Sequence, residues 1–207
     1  MKPSPAFRTA VPFLALAVLL AGPGVAEAQL GVGAGLGFGS LDDIRTQDVE
    51  AAYESSTGYH VGVFYNVGRE LLSVRPGVFY HRLGEYEFSP EQRLDLSAVE
   101  AALDLRFRVF SGSSISPYLL GAPVLTFARS DSDFSDAVED LSLTADLGAG
   151  LEFSRSGSGL TLMPEFRYSI GVTDYLSESF QVGDVTVTPS SDGRRFRKVM
   201  LRLNVMF

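Results

Sequence analysis

Charged side chains recur at every second position within segments that are otherwise apolar, and they are the first candidates for chemistry. Carboxylates and guanidiniums at this spacing can pair with one another or can form a path for protons or ions. An unpaired charge removed from water is costly, so we expect mutual pairing. The candidate network contains five acids and five arginines, and its charge balances: Glu100, Asp104, Asp146, Glu152, Glu165, Arg75, Arg106, Arg108, Arg167 and Arg202.

Two histidines, His60 and His81, raise acyl hydrolysis as a second kind of chemistry. A hydrolase needs a nucleophile, a base and an orienting group in mutual contact. No serine stands in a distinctive motif beside either histidine in the sequence. We therefore interpret both histidines as structural residues and expect neither a catalytic site nor a cofactor.

The acidic segment "ARSDSDFSDAVED", residues 128–140, partly matches a calcium-binding loop through Asp131 and Asp133. The match fails at two required positions, because Asp136 replaces a glycine and Ser142 falls where a glutamate is needed. A solvated loop is the main interpretation, and a weak divalent-cation site stays open as the alternative.

Five glycines alternate with apolar residues from Gly31 to Gly39. A phosphate-binding loop would require a following Lys-Ser or Lys-Thr pair and a helix, and neither is present in the pattern. The missing side chains instead predict space on one face of a strand, next to Arg202 and Met200 of the closing strand.

The elements that must position these residues are strands, because the dominant hydrophobic period is two rather than 3.6. In "VEAALDLRFRVF", for example, the apolar residues from Val99 to Val109 oppose Glu100, Asp104, Arg106 and Arg108. Each segment is long enough to cross a bilayer as a tilted strand, which takes about 9–11 residues. The segments are 30–40, 58–67, 71–82, 99–110, 117–127, 141–153, 160–171 and 198–207.

The connections between these segments alternate in length, with 68–70, 111–115 and 154–159 short and the others long. The long connections are 41–57, 83–93, 128–140 and 172–194. Alternate connections of an up-and-down barrel lie at the same end, so the pattern predicts one long-loop rim and one short-turn rim. The predicted fold is all-β, an eight-stranded antiparallel up-and-down transmembrane β-barrel.

A membrane barrel and a ligand-binding barrel in water share this alternation and differ in which face points outward. The apolar set is almost free of charge and rich in aromatic residues, whereas the opposite set is mixed in charge and rich in glycine. The closing "KVMLRLNVMF" keeps the alternation up to Phe207. We therefore predict that the apolar face meets lipid and that the charged face lines the lumen.

The first 28 residues are predicted to be a cleaved signal peptide, which leaves 29–207 as the barrel domain. Lys2 and Arg8 precede the short apolar run 11–22, and Ala26-Glu27-Ala28 suits a signal peptidase. Removal of this segment changes the formal charge from −8 to −9. An acidic chain lacks the basic surface that nucleic acid binding requires. The chain also has no cysteine, so an exported form would depend on hydrogen bonding rather than on disulfides.

The phrases "SVRPGVFYHRLG", "PYLLGAPV" and "LRLNVMF" resemble those of the small outer-membrane β-barrel domain family that includes PorT-like proteins, and the architecture is similar to OmpA/OmpX-type barrels. The resemblance implies a barrel in the outer membrane and carries no single activity. It also implies that the last strand is read by the barrel-assembly machinery, through the row Leu201, Leu203, Val205 and Phe207.

The functional expectation is a non-enzymatic outer-membrane protein for envelope integrity, adhesion or docking through its long loops. A transport protein for a small or hydrophobic solute is the alternative, and an acyl hydrolase is a weaker one. The expected partners are outer-membrane lipid, the assembly machinery and an unidentified extracellular or periplasmic molecule. Within the lumen, folding the connection 154–159 about its centre predicts that Asp146 stands opposite Arg167 as an ion pair, with Glu165 directed towards Arg202.

Overall fold

The computed structural model describes most of the predicted barrel domain. Residues 1–28, the predicted signal peptide, lie outside the described residues. The same is true of residues 131–138, the central part of the acidic loop. The described residues are 29–40, 44–45, 50–51, 57–68, 71–89, 92–110, 114–130, 139–154, 159–175, 177–182, 185–188, 195 and 197–207. No helix among them is long and apolar enough to cross a membrane.

Strands account for nearly all of the described residues. Eight of them form the barrel: β1 (Gln29–Ser40), β4 (Thr57–Asn66), β5 (Leu72–Ser89), β6 (Gln92–Arg108), β7 (Ile115–Ser130), β8 (Ser142–Ser154), β9 (Thr161–Gly171) and β12 (Arg197–Met206). Four short strands lie between barrel strands and pair as two small hairpins: β2 (Ile44–Arg45) with β3 (Glu50–Ala51), and β10 (Phe180–Val182) with β11 (Val185–Val187).

The barrel is closed by antiparallel pairing of its first strand with its last. Around the wall the order is β1, β12, β9, β8, β7, β6, β5 and β4, and β4 pairs with β1 to complete the circle. At the seam, Val32 stands opposite Val205 and Phe38 stands opposite Val199. The predicted eight-stranded antiparallel up-and-down barrel is confirmed.

The two faces of the wall have the opposite polarity to those of a protein folded in water. In β9 the burial alternates without a break, with Arg167 fully buried and its neighbour Phe166 half exposed. The same holds in β12, where Arg202 is 4% exposed and Leu203 is 50% exposed. Exposure of so many apolar side chains to water would be strongly unfavourable, whereas contact with lipid hydrocarbon is favourable. The outward apolar surface therefore shows a barrel that spans a membrane.

The two rims differ in construction. Connections of five or six residues, 67–71, 109–114 and 155–160, lie at the end that also holds both ends of the barrel domain. The other end carries the connections 41–56, 131–141 and 172–196. Short turns on one side and longer connections on the other are typical of outer-membrane barrels, in which the short turns face the periplasm.

The prediction of a loop at 83–93 is wrong. Strands β5 and β6 continue through this region, Ser89 pairs with Gln92, and residues 90–91 connect the two strands. Among the residues of β5 whose side chains are described, Tyr80 is the last outward apolar one and the exposed Arg82 follows it, so we infer that the apolar band ends near this level. Seven further residues at about 3.3 Å each give roughly 20 Å of strand beyond the band. A register shift between Arg82 and Gly84 marks the point of departure.

We expect the purified protein to migrate differently on a detergent gel before and after boiling. The closed ladder leaves no free strand edge at which detergent can begin to unfold the barrel, so the unheated form stays compact. Gel mobility of heated and unheated samples measures this directly. Identical mobility, together with a compact monomer in buffer that lacks detergent, would contradict the membrane-spanning barrel.

Candidate functional site

The structure places all ten residues of the candidate charge network inside the barrel. Their side chains are almost completely buried, and the most exposed of them, Glu152, is 8% exposed. They come from five of the barrel strands, because alternate residues of each strand face the lumen. They form three clusters, one at mid-height, one towards the short-turn rim and one towards the long-connection rim.

At mid-height, two arginines and two acids form a closed cluster. Arg75 contacts Asp104 at 2.6 Å and Glu165 at 2.5 Å through the same terminal nitrogen. Arg167 donates to both oxygens of Asp104, at 3.0 and 2.6 Å, and to Oε2 of Glu165 at 2.8 Å. Each charge therefore has two partners of opposite sign, which is the condition under which buried ions are tolerated.

This central cluster reaches from one side of the wall to the other. Arg75 lies on β5 and Glu165 on β9, and these strands are four places apart in a closed circle of eight. An eight-stranded barrel has an interior just wide enough for side chains to fill. The Arg75–Glu165 ion pair therefore crosses the full width of the lumen at this level.

A buried tyrosine completes the central cluster. The hydroxyl of Tyr118 donates to Oε1 of Glu165 at 2.6 Å, and the guanidinium of Arg106 lies 4.1 Å from the centre of its ring. The ring occupies the space in front of Gly150, where an added Cβ atom would overlap with it. Gly150 stands opposite Tyr118 on one side and Glu165 on the other, so its missing side chain lets the two meet.

Towards the short-turn rim, Glu152 gathers two arginines. Arg106 donates to its Oε2 atom at 2.9 Å, and Arg108 donates to both of its oxygens at 3.0 Å. Arg106 also donates to the side-chain oxygen of Asn66 at 3.1 Å. This cluster lies in the lumen between the central one and the short-turn rim.

Towards the long-connection rim, Glu100 lies between a lysine and a histidine. Lys198 forms an ion pair with Oε1 of Glu100, and Nε2 of His81 lies 2.9 Å from Oε2. Lys198 and Glu100 belong to β12 and β6, which are also four places apart in the circle. His81 stacks on His60 at 4.8 Å between ring centres.

The prediction of a balanced interior is wrong, because it omitted Lys198. This lysine is 4% exposed, and its inclusion gives six buried cationic side chains against five acids in the described part of the chain. The signal was present in the sequence, since Lys198 shares the even-numbered face of the last strand with Arg202 and Asn204. A count of the inward face of this strand that includes Lys198 gives the excess of one positive charge.

Arg202 is the residue that carries the excess positive charge. Its Nε atom donates to Nε2 of His60 at 3.0 Å, and its guanidinium lies 3.8 Å from the centre of the Phe79 ring. Its Nη1 atom has no hydrogen-bond partner among the described residues. Glu165 stands directly opposite Arg202, but the prediction that it is directed towards Arg202 is wrong, because its oxygens are held by Arg75, Arg167 and Tyr118.

The predicted register between β8 and β9 is wrong by two residues. Asp146 stands opposite Ser169, which donates to it at 2.5 Å, and Gly148 stands opposite Arg167. Register in a hairpin follows the turn, and this turn is centred nearer to β9 than the symmetric prediction had it, with Gly159 at a φ of +66°. Arg167 still comes within 3.6 Å of Asp146, but its main partners are Asp104 and Glu165.

The glycines of β1 do provide space, but for more residues than expected. A Cβ atom at Gly35 would overlap with backbone atoms of β12 and crowd His60, and one at Gly31 would overlap with the Phe64 ring. Met200 is different, because it lies at an ordinary 3.8 Å from the Cβ position of Gly37. Most of the space in front of β1 is therefore filled, and the part in front of Gly37 stays open.

The described residues contain no cluster of side chains suited to metal binding, and the Nε2 atoms of the two histidines have partners other than a nucleophile. Nε2 of His60 accepts from Arg202, and Nε2 of His81 lies 2.9 Å from Oε2 of Glu100, so neither of these two nitrogens is held by a serine. In the same part of the chain no three His, Asp or Glu side chains cluster as metal ligands would. The Asp131 and Asp133 of the calcium-loop hypothesis lie outside the described residues.

Comparison with known proteins gives one family and several similar structures. The family model described as "Outer membrane protein beta-barrel domain" matches residues 11–187. No curated protein sequence matches the chain significantly. Neisserial surface protein A (NspA) has a similar structure, with a TM-score of 0.59 and 13% identity over 86% of this chain and 95% of that one.

Two further structures are similar at lower scores. Ail, the attachment invasion locus protein of Yersinia pestis, crystallised with the heparin analogue sucrose octasulfate, has a TM-score of 0.46 and 15% identity over 87% of this chain and 97% of its own. A major outer membrane protein from Thermus thermophilus has a TM-score of 0.42 and 14% identity over 87% of this chain and 99% of its own. At these identities the likeness concerns the fold.

The geometry predicts that Asp104, rather than Asp146, is the main energetic partner of Arg167. In double-mutant cycles read by urea unfolding in lipid, we expect Asp104→Ala and Arg167→Ala to show a coupling of about 0.5–3 kcal/mol. Each single change should cost about 3–5 kcal/mol, because it leaves a buried charge without its partner.

The matched control is the cycle between Asp146→Ala and Arg167→Ala, in which the charges are the same but the separation is 3.6 Å. We expect a smaller coupling there. A larger coupling for Asp146 than for Asp104 would show that the register of β8 and β9 differs from the one described.

Proposed function

The chain belongs to the outer membrane protein beta-barrel domain family, and we propose that it is a non-enzymatic barrel with a closed lumen that serves envelope integrity, adhesion or docking through its outer rim. It lies in the outer membrane, as its family and its outward apolar surface require. The proposal concerns what it does there.

The observation that carries the proposal is the pair of ion pairs that cross the lumen. Arg75–Glu165 and Lys198–Glu100 each join strands on opposite sides of the barrel, at two different heights. A solute passing between the rims would have to break both of them and expose buried charges. Because breaking one buried pair costs several kcal/mol, a permanently open path is disfavoured.

The outer rim is the part of the molecule with freedom to meet a partner. The β5–β6 hairpin continues beyond the apolar band, and the connections 41–56, 131–141 and 172–196 leave from the same end. In proteins whose loops are held by a rigid scaffold, the residues that bind partners lie mostly in the loops. This supports docking or adhesion over transport, and the histidine contacts described above support a role without catalysis.

Conductance across a planar bilayer tests the closed lumen. We expect the wild-type protein to give no stable conductance steps, because both crossing ion pairs stay intact. Changing Arg75 and Glu165 together to serine removes one crossing pair without leaving a lone partner from it, and should raise the frequency of openings. Stable steps from the wild-type protein would contradict the proposal and favour the transport alternative.

Assembly through the last strand is a second proposal. The row Leu201, Leu203, Val205 and Phe207 points outward, and the backbone N–H of Phe207 donates to the carbonyl of Leu30 at 2.9 Å across the seam. An apolar row beside the closing seam is a surface that the barrel-assembly machinery can bind before the seam forms.

We expect Phe207→Ser to reduce insertion into the outer membrane of cells more than Phe166→Ser does. Phe166 is the matched control, since it is also an outward phenylalanine, 50% exposed against 60% for Phe207, but lies in β9. Both variants should refold equally well in detergent, where no assembly machinery is present. Equal insertion in cells, or a refolding defect confined to Phe207→Ser, would count against recognition of this row.

A further inference from the structure

A recess lies in the barrel wall at the long-connection rim. It encloses about 220 Å³, including its open mouth, and its lining includes Gly37, Gly39, Gly58, His81, Arg82 and Lys198. Gly37 stands opposite Gly58, and Gly39 stands opposite Lys198. Because the two opposed glycines have no side chains, the inner surface of the wall is hollow at this point.

Two buried nitrogen-bearing side chains border the recess. Lys198 is 4% exposed and His81 is 2% exposed, and both are held on one side by Glu100. A lysine ammonium has three hydrogens, so its ion pair with Glu100 leaves further donors for another acceptor. Nε2 of His81 lies 2.9 Å from the other oxygen of Glu100, so this one carboxylate faces both nitrogen-bearing side chains of the recess.

The surroundings of the recess carry an excess of positive charge. Arg202 lies behind it, linked through the His60–His81 stack. The acids at this height, Glu100 and Asp146, are already engaged by other side chains. The guanidinium of Arg202 is therefore left with a histidine nitrogen and an aromatic ring, and its positive charge has no acid of its own among the described residues.

We propose that this recess binds a phosphate group. Ammonium and guanidinium groups make strong charge-assisted hydrogen bonds to phosphate oxygens, and a single phosphate would neutralise the uncompensated charge. Much of the 220 Å³ is open to solvent and the enclosed part has room for little more than one water-sized group, so the recess can take one end of a phosphate group at its mouth but not a large solute. A metal ion is the poorer occupant, because no cluster of three ligating side chains occurs in the described part of the chain.

The phosphate has two possible sources, a lipid headgroup or inorganic phosphate. Arg82, which lines the recess and is itself exposed, follows the outward Tyr80 of β5 and stands opposite the outward Tyr59. The recess therefore opens near the level at which lipid headgroups end the hydrocarbon layer, and both sources can reach it.

The test uses the full barrel in phosphatidylcholine nanodiscs, titrated with inorganic phosphate at constant ionic strength while the His81 ring signals are followed by NMR. We expect a saturable shift that acetate does not reproduce. Lys198→Gln should weaken binding by about tenfold to a hundredfold, the effect of losing one charged hydrogen bond. Arg197→Gln, the same charge change one residue away on the exposed face, should leave binding unchanged.

Gly37→Leu serves as the second variant, since it adds bulk in the recess without altering any charge, and its Cβ atom would have only Met200 within 4 Å. We expect it to abolish the shift while the gel mobility of the folded barrel is retained. If Lys198→Gln does not fold, Gly37→Leu still tests whether phosphate binds in the recess. Nanodiscs containing phosphatidic acid, in phosphate-free buffer, identify the source: occupied His81 signals there show that a lipid phosphate suffices. No saturable shift from either source, equal loss in Lys198→Gln and Arg197→Gln, or equal binding of acetate would overturn the proposal.

Discussion

Closure of the barrel between β1 and β12 is the constraint on which the rest of the structure depends. Within hydrocarbon each unpaired backbone N–H or C=O group costs several kcal/mol. The backbone groups of the first strand must therefore form hydrogen bonds with those of the last. The seam brings Arg202 and Asn204 of β12 against the inner face of β1. That face consists of glycines, and at Gly35 a side chain would overlap with the partner strand itself. The glycine-rich strand is therefore a requirement of closure around a crowded lumen.

Closure also decides what can fill the interior. Eight strands leave space for side chains but not for a water-filled channel, so charged residues that face inward must satisfy one another. Arg75, Asp104, Glu165 and Arg167 do so as a closed cluster in which each ion has two partners. Buried ion pairs add little net stability compared with apolar packing, but loss of one partner is severe. A network of this kind disfavours an open path through the lumen, and the proposed function rests on that.

The period-two pattern predicted the strands, the inner and outer faces and the membrane setting, because alternation depends only on local geometry. It could not predict which charges meet. Arg75 and Glu165 are 90 residues apart and pair because their strands face each other across the circle. The register of β8 and β9 depended on the connection 155–160, in which two successive Ser-Gly pairs allow two turn centres. The resulting error of two residues put Arg167 in the place of Ser169 opposite Asp146. In 83–93 the alternation of Tyr86 and Phe88 with glutamates was a strand signal that charge and proline obscured.

The central claim is that the charged face of each strand points inward and the apolar face meets lipid. Because the chain contains no cysteine, a spin label can be placed at single introduced cysteines along β12 without a background signal. Oxygen concentrates in hydrocarbon, so the account predicts a high collision rate with oxygen at positions 201, 203 and 205 and a low rate at 200, 204 and 206. A water-soluble relaxing agent should have little access to the label at 201, 203 and 205. Oxygen access that is uniform along the strand, or high at the even positions, would contradict it.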